Sequence, residues 1–253
     1  MDDNRRVPEG LTEERNRGLL IAFEGSDGVG KTTQRKLFKT WLRNRGEKVA
    51  VSKWNSSPLV KPLMKARKAA RSLTPVEYAV LQAADFRHRF DTEIALRLNE
   101  RKIVLADRYV FTGIARDVAR GLEREWSMSL YTPVRWPDFV FYFSASPKTC
   151  AKRIAASREF TFYEAGQDVT GLSDPFESYL HFATKVINEY ERMSQEFAFI
   201  MIDAERPIYD QHRFIRHLYE TRLETAFALD RTSCWDSSHS AESGHVTAVR
   251  DRW

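Results

Sequence analysis

The octapeptide Gly25-Ser26-Asp27-Gly28-Val29-Gly30-Lys31-Thr32 constrains this chain more than any other stretch. It fits the spacing G-x-x-x-x-G-K-[ST], and an apolar run, Leu19–Phe23, leads into it. A helical pattern, Thr33–Arg45, follows. Glycines let a backbone curl so that successive N–H groups converge on phosphate oxygens. A helix N-terminus adds partial positive charge at the same place. Gly25 to Thr33 are therefore the candidate ATP-binding residues. Within them Lys31 is placed to bridge the β- and γ-phosphates, and Thr32 to offer its hydroxyl to Mg²⁺.

Further short apolar runs read as buried strands: Val49–Lys53, Ile103–Ala106, Phe139–Phe143 and Phe199–Ile202. Helix starts stand between them. Thr74-Pro75-Val76-Glu77 combines a capping box with proline at the first helical position and opens a helix to about Asn99. Ser146-Pro147 starts another, and Asp174-Pro175-Phe176-Glu177 a third that reaches about Gln195. Strands alternating with helices imply right-handed crossovers. The expected class is α/β, a P-loop NTPase three-layer fold with a five-stranded parallel sheet and helices on both faces. The 253 residues suffice for one such domain.

Residues 1–17 mix acids and bases without an apolar segment and read as a mobile arm, not a secretory signal. Residues 18–228 carry the periodic pattern, and 229–253 read as a loose polar tail. No apolar run approaches the roughly 18–20 residues of a membrane span. Cys150 and Cys234 lie far apart and read as free thiols of a cytoplasmic protein. His88, His181, His212 and His217 are scattered and suggest no metal site.

Charge is uneven. Lys31–Arg71 holds thirteen Lys/Arg and one acid, Glu47, in a chain whose formal net charge is +5. Such a block suits phosphate-rich ligands or nucleic acid. A solvated helix face is the competing reading for Arg35, Lys36, Lys39, Arg43 and Arg45.

Asp107 closes the run Ile103–Ala106, so its carboxylate falls at the C-terminal end of a strand, where open α/β sheets bind ligands. It is the second candidate Mg²⁺ ligand. Arg108 follows at once and offers a guanidinium fork for another phosphate.

With these pieces the chain resembles the thymidylate kinase family from about Gly18 to Ile215. The segment Phe23–Gln34 is similar to that family's first motif, and Asp107-Arg108-Tyr109 to its Asp-Arg-Tyr motif, with Thr112 where a serine is common. Ala83-Ala84-Asp85 matches part of the helix that walls the acceptor site, and Ile202-Asp203-Ala204 the segment near adenine. The resemblance implies an ATP- and Mg²⁺-dependent nucleoside monophosphate kinase acting on small-molecule nucleotides, and a homodimer. It implies that Asp27 contacts the acceptor sugar hydroxyl, Arg108 grips the acceptor phosphate, and Tyr109 packs beside the sugar. Where the family loop sometimes carries an arginine this chain has Gly28, so a lid at about 153–172 is expected to supply Arg153 and Arg158. Glu164 and Asp168 could bind Mg²⁺ or orient those arginines.

The acceptor half departs from the family. Gln82 replaces a stacking aromatic and Phe86 a base-reading arginine, while Arg116 and Asp117 replace an aromatic and an amide. Gln82, Phe86 and Arg116 are still the candidate acceptor residues, with Arg116 expected to face Asp117 or Asp85, and Trp54 or Phe86 to supply the stack. These departures and the basic block keep a second reading open: the same kinase chemistry on a modified nucleotide, another metabolite or a nucleic-acid end. A non-catalytic nucleotide-binding protein is the third.

Overall fold

The computed structural model describes the backbone of residues 18–233 and side chains as far as Thr221. The N-terminal arm and most of the tail expected from sequence lie outside these residues. Five strands form one sheet: β1 (Leu20–Glu24), β2 (Val49–Lys53), β3 (Ile103–Asp107), β4 (Phe139–Ser144) and β5 (Ile200–Asp203). Their order is β2-β3-β1-β4-β5, and every pairing is parallel. This is the P-loop NTPase α/β arrangement expected from the strand-helix alternation. Crossovers from β1 run first to one side and later to the other, so ligand space opens beyond the carboxyl end of β1.

Helix α1 (Lys31–Asn44) follows the glycine loop, and α2 (Lys61–Ala69) follows β2. Helix α3 (Pro75–Arg89) passes through one π-helical turn, Phe90–Ile94, into α4 (Ala95–Asn99), so the run to Asn99 anticipated from sequence is continuous but locally wider. Its N-cap is as read: the Thr74 hydroxyl accepts from the Glu77 amide at 3.2 Å. Helices α5 (Val110–Ala119) and α6 (Arg124–Ser129) connect β3 to β4. Helix α7 (Pro147–Ala155), the short α8 (Gln167–Thr170) and the long α9 (Pro175–Glu196) connect β4 to β5. Helix α10 (Ile208–Ser233) continues past Leu229, where the sequence reading placed its tail.

Successive β1 residues feed two cores because side chains alternate along a strand. Leu20 and Ala22 join Phe86 of α3, Phe111 and Ile114 of α5 and Tyr190 of α9. Ile21 and Phe23 join Phe38 and Leu42 of α1 and Ile215 and Tyr219 of α10. All five β1 residues are buried. Burying each such large apolar side chain contributes about 1.5–3 kcal/mol.

One charged pair lies inside this packing. Arg89 and Asp85, one turn apart on α3, pair at 2.8 Å with side chains 2% and 1% exposed. Asp85 also accepts from the backbone N–H groups of Asn55 and Ser57, and Arg89 donates to Ser52 Oγ. Asp85 thus pins the loop after β2 to α3 and is not free to face Arg116. Truncating it would strand a buried guanidinium. Asp85→Ala is expected to cost about 3–5 kcal/mol of folding stability in chemical denaturation. A loss within experimental error of zero would contradict this.

Candidate active site

The site begins where β1 stops. Gly25 has φ 133° and Gly28 φ 78°, both in the left-handed half of backbone space. A Cβ on Gly28 would lie 2.5 Å from the Cys150 carbonyl oxygen. Helix α7 therefore packs directly on the loop, and no side chain fits at this position. That is the physical reason why an arginine cannot stand at Gly28 here. The curled loop gathers Lys31, whose Nζ donates to the carbonyls of Gly25 at 2.8 Å and Ser26 at 2.5 Å. Burial, with the nearby Arg108 charge, pushes the Lys31 ammonium down to about 7.

At the mouth of the loop the Thr32 hydroxyl donates to Asp107 Oδ2 at 3.2 Å. A hydroxyl beside a carboxylate is the hard-oxygen pair that a largely hydrated Mg²⁺ takes together with nucleotide phosphates. Arg35 completes this corner. Its Nε donates to the same Asp107 oxygen at 3.0 Å, and its side chain is 4% exposed. Arg35 is thus not part of a solvated helix face, which corrects that reading for this residue. It lies one turn after Lys31 on α1, a spacing that could have revealed it.

On the other side of the loop, Asp27 is held by two arginines. One of its carboxylate oxygens accepts from Arg108 and the other from Arg116. Arg116 therefore faces the phosphate loop, not Asp117 or Asp85. Burial alone would raise the Asp27 carboxyl, but Arg108, Arg116 and Lys31 hold it far below the usual carboxylate range. Arg108 also donates to the Gly25 carbonyl and Thr112 Oγ1. Its φ of 75° is unusual for a non-glycine residue and is held by these bonds. Tyr179 adds a hydrogen bond from its hydroxyl to the Asp27 carbonyl.

Glu24, the last residue of β1, underlies this arrangement. It is wholly buried and accepts from the Tyr109 amide, the Thr112 hydroxyl and the Tyr190 hydroxyl at 2.6–2.7 Å. Burial raises its pKa while these donors and Arg108 pull it down. A carboxylate ending an otherwise apolar strand was the available signal.

A cavity of about 460 Å³ runs over the loop between Asp27, Lys31, Thr32, Asp107, Arg108 and Arg153. Arg153 lies in the last turn of α7, not at a helix start. It donates to the carbonyls of Val29 and Ala204, joining the phosphate loop to the end of β5. Arg158 also lines the cavity but pairs with both Glu164 carboxylate oxygens. Asp168 pairs instead with Arg120 of the chain segment after α5. The two lid acids are thus engaged by arginines.

The remaining candidates sit behind the cavity. Tyr109 is buried and its hydroxyl donates to the Arg135 carbonyl. Phe86 is 2% exposed and packs against Tyr109, Tyr131 and Trp54 as core. Neither Phe86 nor Trp54 is presented as an open stacking surface. Gln82 is buried with neither amide atom bonded.

A sequence model described as Thymidylate kinase matches residues 23–215. The chain belongs to the thymidylate kinase family. It is 36% identical over 204 residues to a probable thymidylate kinase 2 of Saccharolobus solfataricus, covering 80% of this chain and 95% of that protein. It is 30% identical to a thymidylate kinase of Geobacillus thermodenitrificans, covering 76% and 85%. It is 29% identical to a thymidylate kinase of Schizosaccharomyces pombe, covering 79% and 90%. The match spans both the glycine loop and the Asp107-Arg108 corner. Among the described residues no helix is long and apolar enough to cross a membrane.

Glu24→Ala would orphan the Tyr109 amide and two hydroxyls in the interior. Each orphaned buried group costs about 1–3 kcal/mol. The variant is expected to unfold at lower denaturant and to lose turnover, because the Tyr109 amide adjoins Arg108. Wild-type midpoint and turnover together would refute this role.

Proposed function

We propose that the chain transfers the γ-phosphate of ATP to thymidine monophosphate, giving the diphosphate. The observation that carries the reading is the two-sided loop. Lys31, Thr32 and Asp107 stand on one side of it, and Arg108 and Arg116 stand on the other around Asp27. Family membership supports the same activity.

The roles follow from charge and position. Lys31 exchanges its bonds to the loop carbonyls for β- and γ-phosphate oxygens. Thr32 and Asp107 would hold Mg²⁺, which when bound screens phosphate charge. Arg35 keeps the Asp107 carboxylate oriented. Arg108 and Arg116 take the acceptor phosphate, whose oxygen is already an anion and requires no base. Asp27 accepts from the acceptor sugar hydroxyl. Arg153 lies over the donor side and screens charge in transfer, and Arg158 joins it when Glu164 releases it. Ala204 borders the adenine end. Phosphoryl transfer depends on positioning and charge stabilisation, which these groups supply. By the same family likeness we expect a cytoplasmic homodimer.

Two variants test the reading. Lys31→Ala should lower kcat by about 10³-fold or more while the melting temperature is kept. Full turnover would sink the mechanism. Arg108→Ala should raise KM for thymidine monophosphate by roughly 10- to 100-fold, the worth of a charged hydrogen bond, with little change in KM for ATP. Equal changes in both would undo the assignment.

A further inference from the structure

A second cavity, of about 430 Å³, lies along the free edge of the sheet. Strand β2 is outermost and pairs only with β3, so its other edge presents backbone N–H and C=O groups to no strand. The cavity follows this edge from Val49 to Ser52. It straddles the sheet, because α1 packs on one face and the π-helical turn with α4 packs on the other. Lys39 and Arg43, one turn apart on α1, line one side. Glu93 of the π-helical turn and Arg97 of α4 line the other, and Lys102 stands at the foot of β3. The volume is close to the 460 Å³ of the cavity over the phosphate loop, and the two share no lining residue.

The cations of this cavity are only partly answered. Among the described residues the side chains of Lys39 and Arg43 make no hydrogen bond or ion pair. Arg97 and Lys102 share one acid, Glu100, at 3.0 and 2.5 Å. The one carboxylate in the lining, Glu93, pairs with none of the four. Its Oε2 accepts from Ser52 Oγ at 3.0 Å. Ser52 is buried and accepts in turn from Arg89, the arginine that Asp85 holds. Glu93 is thus fixed from behind, while its Oε1 has no hydrogen bond among the described residues. An excess of positive charge in a cleft draws a polyanion.

We propose that the cavity at the β2 edge is a second nucleotide site, separate from the phosphate loop, that takes a nucleoside triphosphate. Lys39 and Arg43 hold its phosphates, with Arg97 and Lys102 adding charge from the far side. A bare polyphosphate would meet Glu93 as a repelling charge. A nucleoside instead offers the Glu93 carboxylate a sugar hydroxyl, and an ionised carboxylate can only accept. The base lies along β2, where free amide and carbonyl groups meet its polar edge and Val49 and Val51 meet its apolar surface. An added peptide strand suits this edge poorly. Lys48 just before β2 and Lys53 at its end are both exposed, and lysines so placed oppose strand pairing. The site stands whichever acceptor the phosphate loop serves.

The test is ATP binding by titration calorimetry without acceptor, for wild type, Lys31→Ala and the double variant Lys39→Ala/Arg43→Ala. Wild type should show two binding events per chain. The double variant should weaken one of them by roughly 10- to 100-fold, the worth of a charged hydrogen bond. Its kcat and melting temperature should stay at wild type, because neither side chain is paired. Lys31→Ala should keep the event that the double variant loses. Inorganic tripolyphosphate should compete for that event about tenfold less well than ATP, since it buries no base. A single wild-type event that Lys31→Ala removes and the double variant keeps would overturn the proposal. Equal competition by tripolyphosphate would overturn the nucleotide assignment. Tighter binding of a single-stranded oligonucleotide through Lys39 and Arg43 would give the cleft to nucleic acid and overturn it as well. A single event that only the double variant removes would keep this site and overturn the donor assignment at the phosphate loop.

Discussion

Glu24 is the carboxylate on which the catalytic end of the sheet depends. It ends the central strand at the point where the chain must leave for the phosphate loop. Its two oxygens receive a backbone amide and two hydroxyls, from the start of α5 and from α9. Three elements separated by many residues are thereby held at one point. The bond to the Tyr109 amide sets the backbone just after Arg108, and Thr112 bonds both Glu24 and the Arg108 guanidinium. The direction of Arg108 is thus a consequence of a buried acid behind it. A short aliphatic side chain could fill the space but could not receive three donors.

The loop itself is built by close approach. Helix α7 lies so near Gly28 that its carbonyl occupies the position of a side chain. The same helix brings Arg153 across to Val29 and Ala204. A cation therefore reaches the donor side from α7 where the loop has no room for one. Charge is balanced locally around the loop. Asp27 offsets Arg108 and Arg116, loop carbonyls receive Lys31, and Asp107 receives Arg35 and Thr32. On the proposed reading, phosphates and an ion would exchange into bonds that already exist, with little reorganisation.

The packed interface between α3 and α5 contrasts with the loop. The charged groups of the glycine loop are paired, whereas Gln82 and Asp117 are left without hydrogen bonds. Burial without a partner carries a stability cost. Asp85, three residues from Gln82, shows the contrast. It is equally buried, but it is paired with Arg89 and two backbone amides and works as structure. Neighbouring polar residues on one helix thus differ in whether burial leaves them paired.

Much of this was legible from local pattern. Five apolar runs became five parallel strands, and Thr74, Ser146 and Asp174 cap helices as their neighbours require. The loop from Gly25 to Thr32 was read directly, because glycine spacing, strand and helix are all local properties of the chain. The partners of its charges were not legible. Arg35 looked like one solvated cation among five, Arg116 looked committed to Asp117 or Asp85, and Phe86 looked like a stacking surface. Each was settled by which helix face met the sheet. Sequence by itself determined the elements and the place of the glycine loop, since hydrophobic period and turn residues act over a few positions. Tertiary structure alone decided which carboxylates are paired and which are left open, because burial and ion pairing arise between residues that only folding brings together.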